Sequence, residues 1–134
     1  MAPKLNGIGI IVADMGKSLA FYRRLGLDIP AGADSEPHVS VPLGGGINLL
    51  FDTTETIRSF DAEWTPPQGG NAFGIAFECA GPAEVDRVFA DVTGAGYSSH
   101  REPWDAFWGQ RYATVVDPDG NHVDLFAALP SAGG

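Results

Sequence analysis

Residues 5–12 read LNGIGIIV and residues 73–79 read FGIAFEC, and each of these apolar strand candidates runs directly into a helix candidate. The first helix is predicted over Met15–Leu25, with Asp14 as N-cap and Gly26 just past its end. Met15, Leu19, Tyr22 and Leu25 then share one helical face. The second helix is predicted over Ala83–Thr93, with Val85, Val88, Phe89 and Val92 on one face. Gly7 and Gly74 stand 67 positions apart, and so do Tyr22 and Phe89, so one register carries strand and helix together. Each half closes on a further apolar strand, GINLLFD at 46–52 and NHVDLFA at 121–127. The latter follows Asp117-Pro118-Asp119-Gly120, a hairpin turn in which proline presets φ and glycine accepts positive φ. Between these lie a short strand near Leu27–Ile29 and one over His38–Pro42 in the first half. Their counterparts in the second are a short strand near Ser98–Arg101 and one over Gln110–Val116.

That is βαβββ written twice, an α+β chain. The expected organisation is a first module over 1–52, an irregular crossover linker over 53–71, a second module over 72–129 and a flexible tail over 130–134. The crossover holds Pro66-Pro67 and Gly69-Gly70, and a second irregular stretch, Glu102–Gly109, interrupts the second module. Gly44-Gly45-Gly46 reads as a hairpin turn, because no lysine or helix start follows it as a phosphate loop requires.

Composition narrows the function classes. At 134 residues with 44% hydrophobic content the chain can bury a core. No apolar run approaches the roughly 18 residues of a membrane span. A formal net charge of −9 excludes the basic footprint that nucleic acid or an anionic membrane needs, and leaves neutral or cationic small molecules as partners. The opening Met-Ala-Pro-Lys lacks the apolar stretch of a secretion signal, and the single Cys79 cannot form an internal disulfide. A cytoplasmic location is the expectation. Cys79 has no base near it in sequence, and Ser40, Ser98 and Ser99 have no elbow or triad context, so covalent catalysis has no candidate nucleophile.

SLAFYRRLGL in the first module, DPDGNHVDLFA in the second, and the duplication itself resemble the vicinal-oxygen-chelate superfamily of glyoxalases, extradiol dioxygenases and bleomycin-resistance proteins. The resemblance spans residues 5–129. It implies that each module curls into an open curved sheet cup, that two modules face each other around a cleft, and that the protein is a homodimer. A closer resemblance, to mitomycin-binding resistance proteins of actinobacteria, lies in GLDIPAGADSEPH (26–38), DTTETIRSFDAEW (52–64) and PWDAFWGQRYA (103–113). These stretches are mostly loops, where likeness bears on function more than on fold.

Metal-dependent members of that superfamily place His or Glu on the first and last strand of each module. Carried over, those positions are Gly7, Asn48, Gly74 and Asp124. Two glycines offer no side-chain donor, and Asn48 with Asp124 falls short of the three protein ligands a catalytic divalent site needs. No metal and no cofactor is therefore expected, and the Lewis acid of metal-dependent isomerase chemistry loses its seat. Gly7 and Gly74 also read simply as strand glycines at points of close packing. His38, His100 and His122 are not spaced as a ligand set, and His122, beside inward Asp124, is expected to face outward.

All three tryptophans, Trp64, Trp104 and Trp108, fall in the two irregular stretches, with Phe60 and Phe107 beside them. Rings in loops at the mouth of a cup form a stacking cage for a planar ligand; rings in the same places also plug a cup or bury at a subunit interface. Under the resemblance, Trp108 supplies a stacking face with Phe60 or Trp104 opposite. His38 and Arg111 hydrogen-bond carbonyl or carbamate oxygens, Phe51 lines the floor, and Asp124 accepts from a ligand amine. Each has a structural alternative: Arg111 pairs with Asp117 or Asp119, His38 is an exposed strand-start residue, Phe51 is core, and Asp124 holds a backbone group or Asn48. The leading functional expectation is a non-catalytic protein that sequesters a planar, mitomycin-like quinone antibiotic and so confers resistance. The competing expectation is a glyoxalase- or dioxygenase-type lyase or isomerase with an atypical metal site or none, using His38 or Asp124 as base. A third is a carrier that hands its ligand to an exporter or a biosynthetic enzyme.

Overall fold

Asp14 caps the first helix as its sequence position requires: its carboxylate accepts from the Lys17 backbone N–H at 3.0 Å. In the computed structural model, which describes residues 4–66 and 74–130, the helix runs Met15–Arg24 (α1) and ends at Gly26 with φ of 105°. The chain divides into two units, Met1–Gln68 and Gly69–Gly134.

In the first unit, strands β1 (Gly7–Val12), β2 (His38–Gly44) and β3 (Ile47–Thr53) form one open mixed sheet in the order β1-β3-β2. β1 lies parallel to β3 with Gly7 opposite Asn48, and β2 lies antiparallel to it with His38 opposite Asp52. Alternation then sorts the side chains. Ile10, Val39, Val41, Leu49 and Phe51 are buried, and the Phe51 ring meets Tyr22 of α1 at 5.3 Å. His38, Ser40, Asn48, Leu50 and Asp52 occupy the other face. The triple glycine makes the β2–β3 turn, all three residues having positive φ.

The short strand expected at Leu27–Ile29 is absent. Arg23 reaches back from α1, donating from Nε to the Ile29 carbonyl at 2.8 Å and from a terminal nitrogen to the Pro30 carbonyl at 2.6 Å, so these acceptors face a side chain and no strand. A 3-10 turn at Ala31–Ser35 follows, and the same guanidinium pairs with Asp34 at 2.8 Å. The first half therefore carries one strand fewer than βαβββ.

The expected irregular crossover contains a helix, α2 (Thr54–Phe60), started by Thr53, whose hydroxyl accepts from the Thr56 N–H at 3.1 Å. Residues 67–71 of that stretch, with Pro67, Gly69 and Gly70, lie outside the described residues, as do residues 131–134 of the tail.

The second unit keeps the full pattern. β4 (Ile75–Glu78), α3 (Pro82–Gly94), β5 (Ser99–Ala106), β6 (Gln110–Val116) and β7 (His122–Ala128) give a four-stranded open sheet ordered β4-β7-β6-β5. Val85 and Val92 of α3 are fully buried, as are Ala113, Val115 and Val123 of the sheet. Most of the stretch expected to be irregular at 102–109 is strand. Pro103 has no N–H to give, but β5 is an edge strand and its pairing with β6 shifts register between Arg101 and Trp104, which accommodates the proline. Trp104 is thus a strand residue, and only Phe107–Gly109 turns. Among the described residues no helix is long and apolar enough to cross a membrane.

Candidate functional site

Register places a polar and aromatic group on one face of the second sheet. Asp124 lies opposite Thr114, Phe126 opposite Tyr112, and Tyr112 opposite Trp104. Asp124 accepts from the Tyr112 hydroxyl at 2.7 Å and from the Thr114 hydroxyl at 2.8 Å, one donor to each carboxylate oxygen. Thr114, only 7% exposed, is satisfied by that bond. Around this pair stand Trp104, Trp108 and Phe126. Trp108 meets Trp104 at 5.4 Å, Phe107 at 4.9 Å and Tyr112 at 5.4 Å, each near perpendicular. Its indole N–H donates to the Gln110 side chain at 2.8 Å, and the residue stays 47% exposed. The Arg101 guanidinium sits 3.8 Å from the Trp104 ring centroid, a cation–π contact, while the Trp104 N–H is buried without a partner.

Partial burial, then the hydrogen bond and charge of Asp124, push the Tyr112 phenol up to about 12 from an ordinary 10.0. Between about pH 10 and 12 the folded protein keeps a proton that the unfolded chain has lost. The stabilisation is therefore complete below pH 10 and is expected to drain as pH rises through that window. Urea midpoints measured from pH 9 to 12 should fall more steeply for the wild type than for Tyr112→Phe. Parallel slopes would show that the Asp124 contact does not govern the phenol.

The remaining expected residues have these surroundings within their own units. Arg111 alternates with Tyr112 and lies on the helix side of the sheet, donating from Nε to Asp86 of α3 and from a terminal nitrogen to Asp105, both at 3.0 Å. Its partners are thus neither Asp117 nor Asp119, and both carboxylates hold the guanidinium more firmly charged. Asp117 is committed to its own turn, accepting from the Asp119 and Asn121 N–H groups at 2.9 and 2.8 Å. Phe51 is fully buried in the first unit's core. His38 pairs through Nδ1 with Asp52 at 2.6 Å. Phe60 ends α2 at 75% exposure, and Phe107 is 91% exposed. Trp64 carries the Arg58 guanidinium at 5.8 Å from its ring centroid.

The expectation for His122 is corrected. Positions two apart on a strand share a face, so His122 lies on the Asp124 side, where its ring stacks on His100 at 4.1 Å. Parity also carried the signal for Tyr112 and Thr114, which the sequence reading passed over. Burial pushes the Cys79 thiol up, with Glu84 adding to it and Arg87 opposing, so a reactive thiolate is disfavoured.

The divalent cation of metal-dependent relatives does not fit the donors present. Gly7 has no side chain, and a Cβ there would meet Leu50 Cδ1 at 2.8 Å. The Asn48 amide donates to the Asn6 carbonyl at 3.1 Å. Gly74 also has no side chain, a Cβ there would stand in ordinary contact 3.9 Å from Asp124 Oδ2, and both Asp124 oxygens already accept from hydroxyls. Among the described residues no group of three or more His, Cys, Asp or Glu is placed to hold a metal ion.

The sequence profile of the Glyoxalase/Bleomycin resistance protein/Dioxygenase superfamily matches residues 4–125. A glyoxalase/bleomycin resistance protein/dioxygenase family enzyme from Burkholderia phytofirmans PsJN is similar at 19% identity with a TM-score of 0.80, over 95% of this chain and 100% of that one. A hypothetical protein from S. aureus is similar at 22% identity and TM-score 0.77, over 96% and 95%. A glyoxalase-related enzyme from Fulvimarina pelagi is similar at 16% identity and TM-score 0.76, over 94% and 88%. At such identities the likeness to these structures is one of fold. No curated protein matches the chain.

Proposed function

The chain belongs to the Glyoxalase/Bleomycin resistance protein/Dioxygenase superfamily, and from that membership we propose that it binds and sequesters a planar aromatic antibiotic of the mitomycin-like quinone class without turning it over. The observation that carries this reading is Trp108: half exposed, its N–H already satisfied, and near perpendicular to its three neighbouring rings. A half-exposed indole held by a hydrogen bond and ring contacts supplies stacking area to a flat ligand at little ordering cost. Asp124 and Glu78, on the same sheet face, add negative character toward a ligand N–H or cation. Protection then works by mass action, with bound drug withdrawn from its targets. We propose a homodimer as the functional unit.

The test is a titration with mitomycin C followed by tryptophan fluorescence, with the ligand recovered and analysed afterwards. Saturable quenching with intact drug supports sequestration. The second reading, a lyase or isomerase of the same fold, draws on similar structures described as enzymes and requires product in the recovered ligand. Absence of quenching would remove the binding reading. Sedimentation of the same sample reads the subunit number.

A further inference from the structure

We propose that Asn6 is a site of spontaneous covalent modification, at which the side-chain amide is converted to an aspartyl or isoaspartyl linkage at the start of β1. The Gly7 backbone nitrogen gives its proton to solvent base and attacks Asn6 Cγ. The new C–N bond closes a five-membered imide, the Cγ–Nδ2 bond breaks, and the amide nitrogen leaves as ammonia. Water then opens the ring at either carbonyl, so the step needs no oxidant or reductant. The inference concerns the first unit alone and is independent of any ligand.

The backbone leaves this nitrogen available. The Asn6 carbonyl accepts from the Asn48 N–H at 2.8 Å and from the Asn48 side-chain amide at 3.1 Å, so it points at β3. The peptide joining Asn6 to Gly7 is trans, which sends the Gly7 N–H the opposite way. β1 is an edge of its sheet, and no strand of the first unit covers that side. Asn6 itself is exposed. Glycine has no Cβ to obstruct the closing ring, and the position favours glycine because a Cβ would meet Leu50 Cδ1 at 2.8 Å. The Asp119–Gly120 pair, with the same spacing of side-chain carbonyl and glycine nitrogen, lacks this freedom: the Gly120 N–H donates to the Asp117 carbonyl at 3.0 Å. Asn121 lacks it too, since its side-chain amide donates to Asp117 at 2.9 Å and a histidine follows it. An isoaspartyl linkage lengthens the main chain by one methylene and detaches from it the carbonyl that Asn48 grips. It therefore loosens the register of Gly7 against Asn48.

The full chain is incubated in mildly alkaline buffer, folded and, in parallel, unfolded in urea. Its tryptic peptide Leu5–Lys17, in which Asn6 is the only side-chain amide, is followed by mass spectrometry for the amide-to-carboxyl difference. Folded and unfolded chains are expected to convert at similar rates. Asn6→Gln, whose ring closure would be six-membered and slow, should keep its amide in both. Conversion in urea with an unaltered Asn6 in the folded chain overturns the inference, because it shows the Gly7 N–H to be shielded. Conversion in neither state overturns it as well. The isoaspartyl form, isolated from the folded sample, should have a lower urea midpoint than Asn6→Asp, which carries the same charge. Equal midpoints would overturn the effect assigned to the start of β1.

Discussion

Phe51→Ala is expected to lower the unfolding free energy by about 3–5 kcal/mol, read as a shift in urea midpoint at unchanged slope. Phe51 is fully buried, and so is Tyr22, whose ring meets it at 5.3 Å and meets Phe21 edge-on at 5.0 Å. Along the sheet it stands between Ile10 of β1 and Val39 of β2, both buried. Truncation empties a volume bounded by one helix and three strands, which the backbone ladders prevent from collapsing. Against a total stability of about 5–15 kcal/mol for a domain, such a loss leaves a large unfolded fraction at physiological temperature. The prediction also decides between two roles for this residue. A floor of a ligand cleft would show lost affinity with little lost stability, and a core residue shows the reverse. A change in stability below about 1 kcal/mol would contradict the burial and return Phe51 to the ligand.

How far such roles could be read from the sequence depended on whether local rules decided them. Asp14 capping α1, Gly26 beyond it, the Gly44–Gly46 turn and the bounds of β6 are settled by residues within a few positions, and they stand where spacing put them. The missing strand at Leu27–Ile29 is another matter. Arg23 claims the carbonyls of Ile29 and Pro30, and nothing in the Leu27–Ile29 pattern signals that a side chain from α1 will do so. Trp104 became a strand residue because β5 is an edge, a fact of strand order that Pro103 alone argues against. In the site, two-residue parity was legible and decisive. Fixing Asp124 opposite Thr114 sends Tyr112 to the same face and Arg111 to the helix side. The partners of Arg111, Asp86 and Asp105, come from a helix and the neighbouring strand, and only the assembled unit brings them to one guanidinium.

Trp108→Ala is expected to weaken mitomycin C binding by at least about 1–2 kcal/mol, roughly 5-fold to 30-fold in Kd, with the unfolding transition nearly unchanged. Stability should survive because the ring is 47% exposed and its loss opens no closed cavity. Affinity should not, because a stacked ring pair contributes about 0.5–1.5 kcal/mol beyond the area it buries. The neighbouring rings sharpen the comparison. Phe107, at 91% exposure, is held by one edge contact and should respond weakly to truncation. Trp104 is pinned beneath Arg101 with its N–H buried, so Trp104→Ala should lower stability and affinity together. Trp108→Phe, which keeps a flat face but loses the bond to Gln110, should recover part of the binding. Equal affinity in wild type and Trp108→Ala, with both proteins folded, would remove stacking at this indole from the mechanism. The aromatic group of the second sheet would then be structural at Trp108.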